Sequence, residues 1–492
     1  MKKAIAILLC ILMLIPMFCA CTNNKKGDGE AVSPLPEGSH VSEDKKFEGE
    51  TFTILCREDN AYGEYVYEIV ADEGETEIVN QAIYERNRNV MDVFGLSDIV
   101  ARDIPGDWGN KDDFINSFKN SIDAGLGDFD LIMSQQAYMA VGELAQYFYN
   151  YYDVPYVSET LNCNDETHDH TYYYPDLVEE MTINGQLKYM VGDYCLTYWD
   201  HTFVMYFNKE LAENYQLENI YDLVREGKWT IDKCLEMSRN KWTDLNNDNW
   251  PGIEDAFGYI TDIPNTTDAM IAQFQVPPTH RDENGDIVVE YDVGKVTNIL
   301  EKMLDFQKTD DYYKVHTTSD MVDAENPLDK MFIEGRALFY PAILQNAQIF
   351  RSMETDFGIV PYPKWNETQD KYYTSANVGF SVACVPADVP NLEKTGAVFD
   401  TLSAISKEKV IPAYYEEALA YKYTRDEDSA EMLDIIRDGF DLNFGVFYAQ
   451  SIGCASIFSH LMANDNPNFA SYYAANYKGY ERKLSQLLEY YE

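Results

Sequence analysis

The sequence predicts an α/β protein in which strands alternate with helices. Short apolar segments with strand-like composition, such as Thr51–Cys56 and Asp128–Met133, are separated by segments whose apolar residues recur at helical spacing. Hydrophobic residues make up 46% of the chain, so a large core can form. After the N-terminal segment, no apolar run is long enough to span a bilayer. Strands that alternate with helices indicate parallel β-α-β units.

The first 21 residues resemble a bacterial lipoprotein signal. Lys2 and Lys3 precede an apolar run that ends at Ala20, and Cys21 follows directly. The four residues that end at Cys21 resemble a lipobox, with Phe18 where that family prefers leucine. The resemblance implies cleavage before Cys21 and lipidation of this cysteine. The alternative is an ordinary secretory signal that is cut near Ala20.

Residues 22–46 are predicted to form a flexible tether. They are rich in Asn, Lys, Gly, Ser, Pro and Glu and contain almost no large apolar side chain, so they cannot bury enough surface to offset the entropy of ordering. A lipid anchor followed by a tether places the folded part at the extracellular face of the cell membrane. The length of the remaining chain, roughly 445 residues, suggests two to three domains.

The charge and the aromatic content narrow the class of ligand. The net charge of −46 argues against binding to nucleic acid or to an anionic membrane surface, which both require basic patches. Membrane contact is therefore expected through the lipid anchor only. The chain contains 38 tyrosines, whose flat rings and hydroxyl groups suit the faces and hydroxyls of a sugar. Tyrosine is also a common strand and core residue.

The alternation of elements continues along the chain. Apolar residues in Glu77–Phe94 and Asp112–Ala124 lie on one face of a helix, and Leu187–Val191 and Thr202–Phe207 have strand character. The sequence contains no internal repeat and no glycine-rich nucleotide loop. The six cysteines after Cys21 are widely scattered, so both disulfides and buried thiols fit them. These cysteines are Cys56, Cys163, Cys195, Cys234, Cys384 and Cys454.

Six segments occur in an order that is typical of one family. They are Gly127–Ile132, Ile183–Tyr189, Val204–Leu211, Gly227–Asp232, Phe332–Phe339 and Phe357–Pro363. Together they resemble the extracellular solute-binding proteins of family 1, the carbohydrate-type receptors of ABC importers. In the fourth segment, Thr230 is placed to cap a helix.

The resemblance implies a two-lobe periplasmic-binding-protein-like (type II) α/β fold with a hinge that the chain crosses three times. Motif order places the crossings near Tyr189–Gly192, Phe332–Arg336 and Gly379–Ala383. Lobe one would then contain residues 47–190 and 335–380, and lobe two would contain residues 191–334 and 381–492. The ligand would lie between the lobes, at the carboxyl ends of strands.

Residues that follow the inward-pointing strands are the candidates for ligand binding. They combine carboxylates, amides and aromatic rings, which is the set that a polyol requires, although each one could also be a loop charge, a helix cap or a packed ring. The candidates are Arg57, Glu58, Asp59, Gln135, Gln136, Tyr138, Asp193, Tyr194, Tyr198, Trp199, Tyr340, Ser375 and Asn377.

The family resemblance implies a monomeric receptor that captures a sugar or oligosaccharide and delivers it to the membrane subunits of an ABC transporter. Such a receptor needs no covalent chemistry and no cofactor. A surface-anchored glycoside hydrolase with paired carboxylates is one alternative, although no local pattern singles out an acid and a nucleophile. A receptor for another solute, such as a peptide, is a second alternative, because the fold does not fix the ligand.

One acidic loop resembles the calcium loop of an EF-hand. Asp244, Asn246, Asp248 and Asp255 offer side-chain oxygens at positions 1, 3, 5 and 12, and the Trp250 carbonyl stands at position 7. Asparagine replaces the usual glycine at position 6, and an aspartate replaces the bidentate glutamate. Two interpretations fit this loop: a structural calcium site, and a polar loop built from Asx turns.

Overall fold

The computed structural model describes residues 35–36, 38–58, 68–163, 171–315, 326–415 and 427–492. The predicted signal segment with Cys21, part of the predicted tether and the candidate ligand residue Asp59 lie outside these ranges. Within the described ranges, no helix combines the length and the apolar character that crossing a membrane requires.

A four-stranded sheet forms the centre of one lobe, called lobe one. It contains β1 (Thr51–Arg57), β2 (Asp98–Ile104), β3 (Leu131–Gln135) and β11 (Ser381–Cys384), in the order β11-β3-β1-β2. β1 pairs in parallel with β2 and β3, whereas β11 is antiparallel to β3. The carboxyl ends of β1, β2 and β3 therefore meet at one edge of the sheet.

A five-stranded sheet forms the centre of lobe two. It contains β4 (Phe203–Asn208), β5 (Phe257–Asp262), β8 (Tyr312–Val315), β9 (Ala337–Ile343) and β10 (Phe357–Val360), in the order β10-β4-β9-β5-β8. β5 is parallel to β8 and β9, and β4 is antiparallel to β9 and β10. A separate hairpin pairs β6 (Thr279–Arg281) with β7 (Ile287–Val289).

Helices pack around both sheets. Those of the first half of the chain are α1 (Ile78–Phe94), α2 (Lys111–Ala124), α3 (Gln136–Met139), α4 (Val157–Leu161), α5 (Pro175–Met181), α6 (Thr197–Asp200), α7 (Lys209–Asn214), α8 (Ile220–Arg225) and α9 (Ile231–Ser238). Those that follow are α10 (Ile263–Thr266), α11 (Met270–Gln273), α12 (Val293–Gln307), α13 (Pro327–Ile333), α14 (Asn346–Phe350), α15 (Leu392–Ile405), α16 (Glu427–Asp438), α17 (Phe444–Phe447), α18 (Ala449–Ile452), α19 (Ile457–Ala463) and α20 (Phe469–Glu489).

The apolar composition of β4 explains its central position. Phe203, Met205 and Phe207 belong to one hydrophobic core of lobe two, while Val204 and Tyr206 belong to another. Successive side chains of a strand point to opposite faces of its sheet, so a continuous apolar run suits a strand that is covered on both faces. The sequence therefore encodes a buried strand here.

Several predicted elements are confirmed. The predicted strand Thr51–Cys56 and the predicted helices Glu77–Phe94 and Asp112–Ala124 correspond to β1, α1 and α2 within one or two residues. The Thr230 hydroxyl accepts a hydrogen bond from the Lys233 amide at 3.3 Å, so Thr230 caps α9 as predicted. Leu187–Val191 is not a strand; Met190 makes a single bridge to Ala383.

Strand pairing differs from the predicted division into lobes. Residues 335–380 were assigned to lobe one, but β9 and β10 pair with β4 in the sheet of lobe two. Residues 381–492 were assigned to lobe two, but β11 completes the sheet of lobe one, and α15 packs against α1 and α4 there. Motif order along a chain does not determine which strands pair, which is why the projected boundaries fail.

Three segments of the described chain cross between the lobes before residue 416, and the chain crosses again in its last part. The first covers residues 191–202, because Met190 still pairs within lobe one and β4 begins at Phe203. The second covers residues 376–381 and ends in β11. The third covers residues 406–415, since α15 packs in lobe one and Ile411 joins a core of lobe two. No crossing occurs at Phe332–Arg336, because α13 and β9 both lie in lobe two.

The last helix lies across both lobes. Phe469, the first residue of α20, belongs to a core of lobe two, whereas Leu484 and Leu487 near its end belong to the core of lobe one. After the helix, the Tyr491 carbonyl accepts a hydrogen bond from Gln186 Nε2 at 2.8 Å. The end of the chain is thus fastened to lobe one.

The six cysteines after Cys21 all lie in the described ranges, and no disulfide joins any two of them. Five are buried, and Cys163 is half-buried. Burial raises the pKa of the Cys195, Cys234 and Cys384 thiols, which keeps them protonated and unreactive.

Candidate functional site

Polar and aromatic residues lie at the carboxyl ends of the lobe one strands. Arg57 ends β1 and Gln135 ends β3, while the loop after β2 carries Trp108. Tyr138 holds this loop in place, because its hydroxyl donates to the Gly106 carbonyl at 2.7 Å. The predicted residues Arg57, Gln135 and Tyr138 therefore lie in one region.

Arg57 links lobe one to the second crossing segment. Its side chain is buried, and its Nη2 donates to the Gly379 carbonyl at 2.9 Å. The Asn377 amide nitrogen donates to the His201 carbonyl at 2.8 Å, which joins the second crossing segment to the first. Burial, with the nearby Arg57 charge, lowers the pKa of His201 to about 3, so this imidazole is neutral at physiological pH.

Two buried carboxylates lie near the strand ends of lobe two. Asp262 ends β5 and accepts a hydrogen bond from Asn265 Nδ2 at 2.5 Å. Asp329 accepts from the Tyr340 hydroxyl at 3.0 Å and from Asn346 Nδ2 at 2.8 Å. Burial raises the pKa of both carboxyl groups to about 6. Asp262 Oδ1 is buried and has no hydrogen-bond partner among the described residues, so it retains the capacity to accept one.

Trp108 is a candidate that the sequence analysis missed. Its side chain is 51% exposed, which is unusual for tryptophan, and it follows the outermost strand of lobe one. Lys111 Nζ lies 5.1 Å from its ring centroid. The signal in the sequence was its position directly after a strand of the predicted sheet, in a short loop with two glycines.

The other predicted residues are dispersed. Gln136 donates to the Phe447 carbonyl, and Tyr194 packs under the Arg86 guanidinium at 4.6 Å. Tyr340 is buried, and Glu58 is exposed beside β1. Ser375 is buried at the start of the second crossing segment. Asp59 lies outside the described residues.

Asp193, Tyr198 and Trp199 line a cavity of about 1020 Å³ between the lobes. Its walls are formed by α5 and the first crossing segment on one side and by α16 and residues 371–373 on the other. The predicted residues therefore divide between two places: the strand ends and this cavity. A volume of this size is at the upper end for sites that bind small molecules.

The acidic loop brings its carboxylates together. Oxygen atoms of Asp244, Asp248 and Asp255 lie within 4.8 Å of one another. The loop is also held by Asx-type bonds: Asp244 accepts from the Asn247 amide and from the Asn249 amide, at 2.6 and 2.9 Å. The structure is therefore compatible with both interpretations of the loop. Asn246 and Trp250 lie exposed in it.

No family model matches the sequence, and no curated protein matches it. Solved structures match its fold. The GacH receptor of Streptomyces glaucescens, solved unliganded and with acarbose, aligns with a TM-score of 0.54 at 11% identity, over 89% of this chain and 99% of that chain.

Two further structures align similarly. A sugar transporter protein from Rhizobium etli, in an open conformation, has a TM-score of 0.53 at 13% identity, over 89% of this chain and 98% of that one. The galacto-N-biose/lacto-N-biose I-binding protein of Bifidobacterium longum has a TM-score of 0.52 at 11% identity, over 90% and 97%. These alignments confirm the predicted two-lobe, type II α/β fold.

Proposed function

We propose that this protein is a solute-binding receptor that captures a sugar or oligosaccharide between its lobes and delivers it to the membrane subunits of an ABC importer. The observation that carries the proposal is the two-lobe α/β fold, which aligns with solved sugar-binding proteins of transporters over 89–90% of this chain. Such an arrangement can enclose a ligand by rotation about the crossing segments. It requires no catalytic group.

The chemistry of the strand ends favours a polyol. Gln135 offers an amide that can donate and accept, Asp262 offers an unused acceptor, and Trp108 offers an exposed ring. Sugar hydroxyls need both donors and acceptors, and the C–H face of a sugar packs against an aromatic ring. The names of structural neighbours, which include receptors for acarbose and for lacto-N-biose, agree with this chemistry.

The cellular setting is part of the same proposal. Lipidation of Cys21 would hold the receptor at the extracellular face of the membrane, where it meets solutes before they reach the importer. The tether would allow the folded part to reach the transporter. We propose that the receptor acts as a monomer.

The proposal is tested by a thermal-shift screen of the chain without its signal segment against mono- and oligosaccharides, with peptides as the comparison. A ligand that binds only the folded state raises the melting temperature by mass action. A rise with one class of sugar, without product on chromatography, supports the receptor. Product formation would support a glycoside hydrolase instead, and a response to peptides alone would refute a sugar ligand.

Trp108→Ala is expected to weaken binding of the sugar found in that screen by about tenfold, which corresponds to roughly 1.4 kcal/mol. The reason is the loss of an exposed stacking surface beside the strand ends of lobe one. Isothermal titration calorimetry measures the change. Trp250→Ala is the matched control, because Trp250 is 75% exposed in the acidic loop and should leave affinity unchanged. Equal effects of the two substitutions would remove Trp108 from the site.

We also propose that the loop from Asp244 to Asp255 holds a structural calcium ion. The support is the convergence of three carboxylates, whose mutual repulsion a divalent cation would relieve. Asp244, Asp248 and Asp255 would provide carboxylate ligands, Asn246 an amide oxygen and Trp250 its carbonyl.

Calcium is expected to raise the free energy of unfolding by about 2.7 kcal/mol at one hundred times its Kd. Thermal unfolding with and without a chelator measures this effect, and the exposed Trp250 provides a fluorescence signal for titration. Asp248→Asn should abolish the response, whereas Asp282→Asn, in an exposed turn elsewhere, should preserve it. An unchanged melting temperature in calcium would leave the Asx-turn interpretation of the loop.

A further inference from the structure

The cavity that contains Asp193, Tyr198 and Trp199 has a lining that is distinct from the residues at the strand ends. In lobe two, β10 and β9 flank β4 on its two sides, and the cavity is bordered by residues after β10 and by α16, which packs against β10. In lobe one, the cavity is bordered by α5. The strand-end residues Arg57, Gln135 and Tyr340 do not line it.

A cluster of aromatic rings forms the floor of this cavity. The Trp199 ring contacts Tyr415 edge-to-face at a centroid distance of 4.9 Å and Phe440 at 4.6 Å. Tyr174 and Tyr198 extend the cluster, with centroid distances of 5.7 Å to each other and 5.9 Å from Tyr174 to Trp199. Tyr174 and Phe440 are partly exposed and offer aromatic surface to the cavity.

Acidic groups outnumber basic groups around this floor. The lining includes six carboxylates and three cations. Glu180 accepts from the Phe444 amide at 2.8 Å, and Asp441 accepts from Gln275 Nε2 at 2.5 Å, so neither of these two bonds joins the carboxylate to a cation. Burial raises the pKa of both groups, which reflects incomplete compensation of their charge.

The cavity already holds cations over aromatic rings. Arg437 Cζ lies 5.6 Å from the Tyr415 centroid, and Lys371 Nζ lies 5.0 Å from the Tyr373 centroid. Aromatic rings bordered by carboxylates attract positive charge through the ring quadrupole and through Coulomb interaction. A neutral sugar would use the rings and leave the acidic excess uncompensated.

We propose that this cavity binds a small organic cation, an ammonium or guanidinium compound, against the Trp199 cluster, with Glu180 and Asp441 as counter-charges. The site is separate from the proposed sugar site and does not depend on it.

A consequence for regulation rests on the proposed function. The walls of the cavity belong to different lobes, so rotation of the lobes changes its shape. A cation that contacts both walls should therefore change the affinity for the sugar, and linkage makes the effect reciprocal.

The test is isothermal titration calorimetry of the protein with tetramethylammonium, choline and arginine, with sodium and glucose as comparisons. Saturable binding of an organic cation, weakened at least about fivefold by Glu180→Gln and by Asp441→Asn, supports the site. Lys371→Gln removes a competing cation and should strengthen binding, so misfolding cannot mimic the full pattern. Asp123→Asn, on the exposed surface of α2, is the matched control.

Three outcomes overturn the inference. Absence of binding to every organic cation refutes the site, and equal weakening by Asp123→Asn shows a general charge effect. Displacement of the cation by the sugar at one-to-one stoichiometry, lost with Tyr174→Ala and retained with Trp108→Ala, would make the cavity the sugar site. If cations bind but the sugar Kd changes by less than about twofold, the linkage is refuted and the site stands.

Discussion

Gly258→Ala is expected to lower the free energy of unfolding by about 3 kcal/mol. A β-carbon at this position of β5 would lie 1.9 Å from the Ser238 carbonyl oxygen, where α9 ends against the strand. Both partners are backbone, so relief requires α9 to move away from the sheet and open the packing of the lobe two core. Urea unfolding followed by circular dichroism measures the change.

Gly479→Ala provides the comparison for the same chemical change. Gly479 lies within α20, and no heavy atom stands within 4 Å of the added carbon. Because alanine favours helix and restricts the unfolded chain, this substitution should raise stability by about 0.5–1 kcal/mol. If both variants shift stability in the same direction, the close approach at Gly258 is not what determines the effect.

The second prediction with a large expected effect concerns pH. The free energy of unfolding should fall as pH rises, and Asp200 contributes to this fall. This carboxyl is fully buried in the first crossing segment, and burial raises its pKa to about 7, although the Tyr414 hydroxyl donates to it at 2.5 Å. The folded state therefore holds the proton more tightly than the unfolded state. Its contribution is present below about pH 4 and is lost as pH rises to about 7, with an upper limit of about 4 kcal/mol.

Asp200→Asn should remove this contribution. The amide keeps an acceptor for Tyr414 and carries no charge, so the variant should match the parent protein at or below about pH 4 and exceed its stability at pH 8. Unfolding measured at several pH values checks the slope. Asp305→Asn, on an exposed helix surface, should leave it unchanged. Asp400, with its pKa near 7 for the same reason, should maintain part of the slope in both variants.

Individual helices and strands could be predicted from local sequence patterns. The assignment of strands to lobes could not, because it depends on pairing between residues that are far apart in the chain. The apolar spacing in α1 and the buried run of β4 are properties of neighbouring residues, which is why both were predicted. The lobe to which β9 belongs depends on its partners β4 and β5, which lie up to 140 residues away. For the same reason, the sequence grouped Trp199 with the candidates at the strand ends, whereas the structure places it at the cavity.

The positions of candidate residues were predicted where these residues adjoin a recognised strand, while their role in ligand binding stays a prediction. Arg57 and Gln135 end β1 and β3, and Tyr138 lies close to them. Trp108 was missed because the loop after β2 carried no motif, and only its 51% exposure singles it out. Asp262 was missed because β5 was not identified from the sequence.

The helix α20 imposes a mechanical condition on any movement of the lobes. It has 21 residues and spans about 31 Å, and its two ends are embedded in different lobes. A helix cannot stretch, so α20 fixes the distance between its contact points in the two lobes. The lobes can rotate relative to each other but cannot move apart along the helix axis. Removal of the chain after Tyr480 would remove this constraint and allow a wider range of opening angles, without altering any residue at the strand ends.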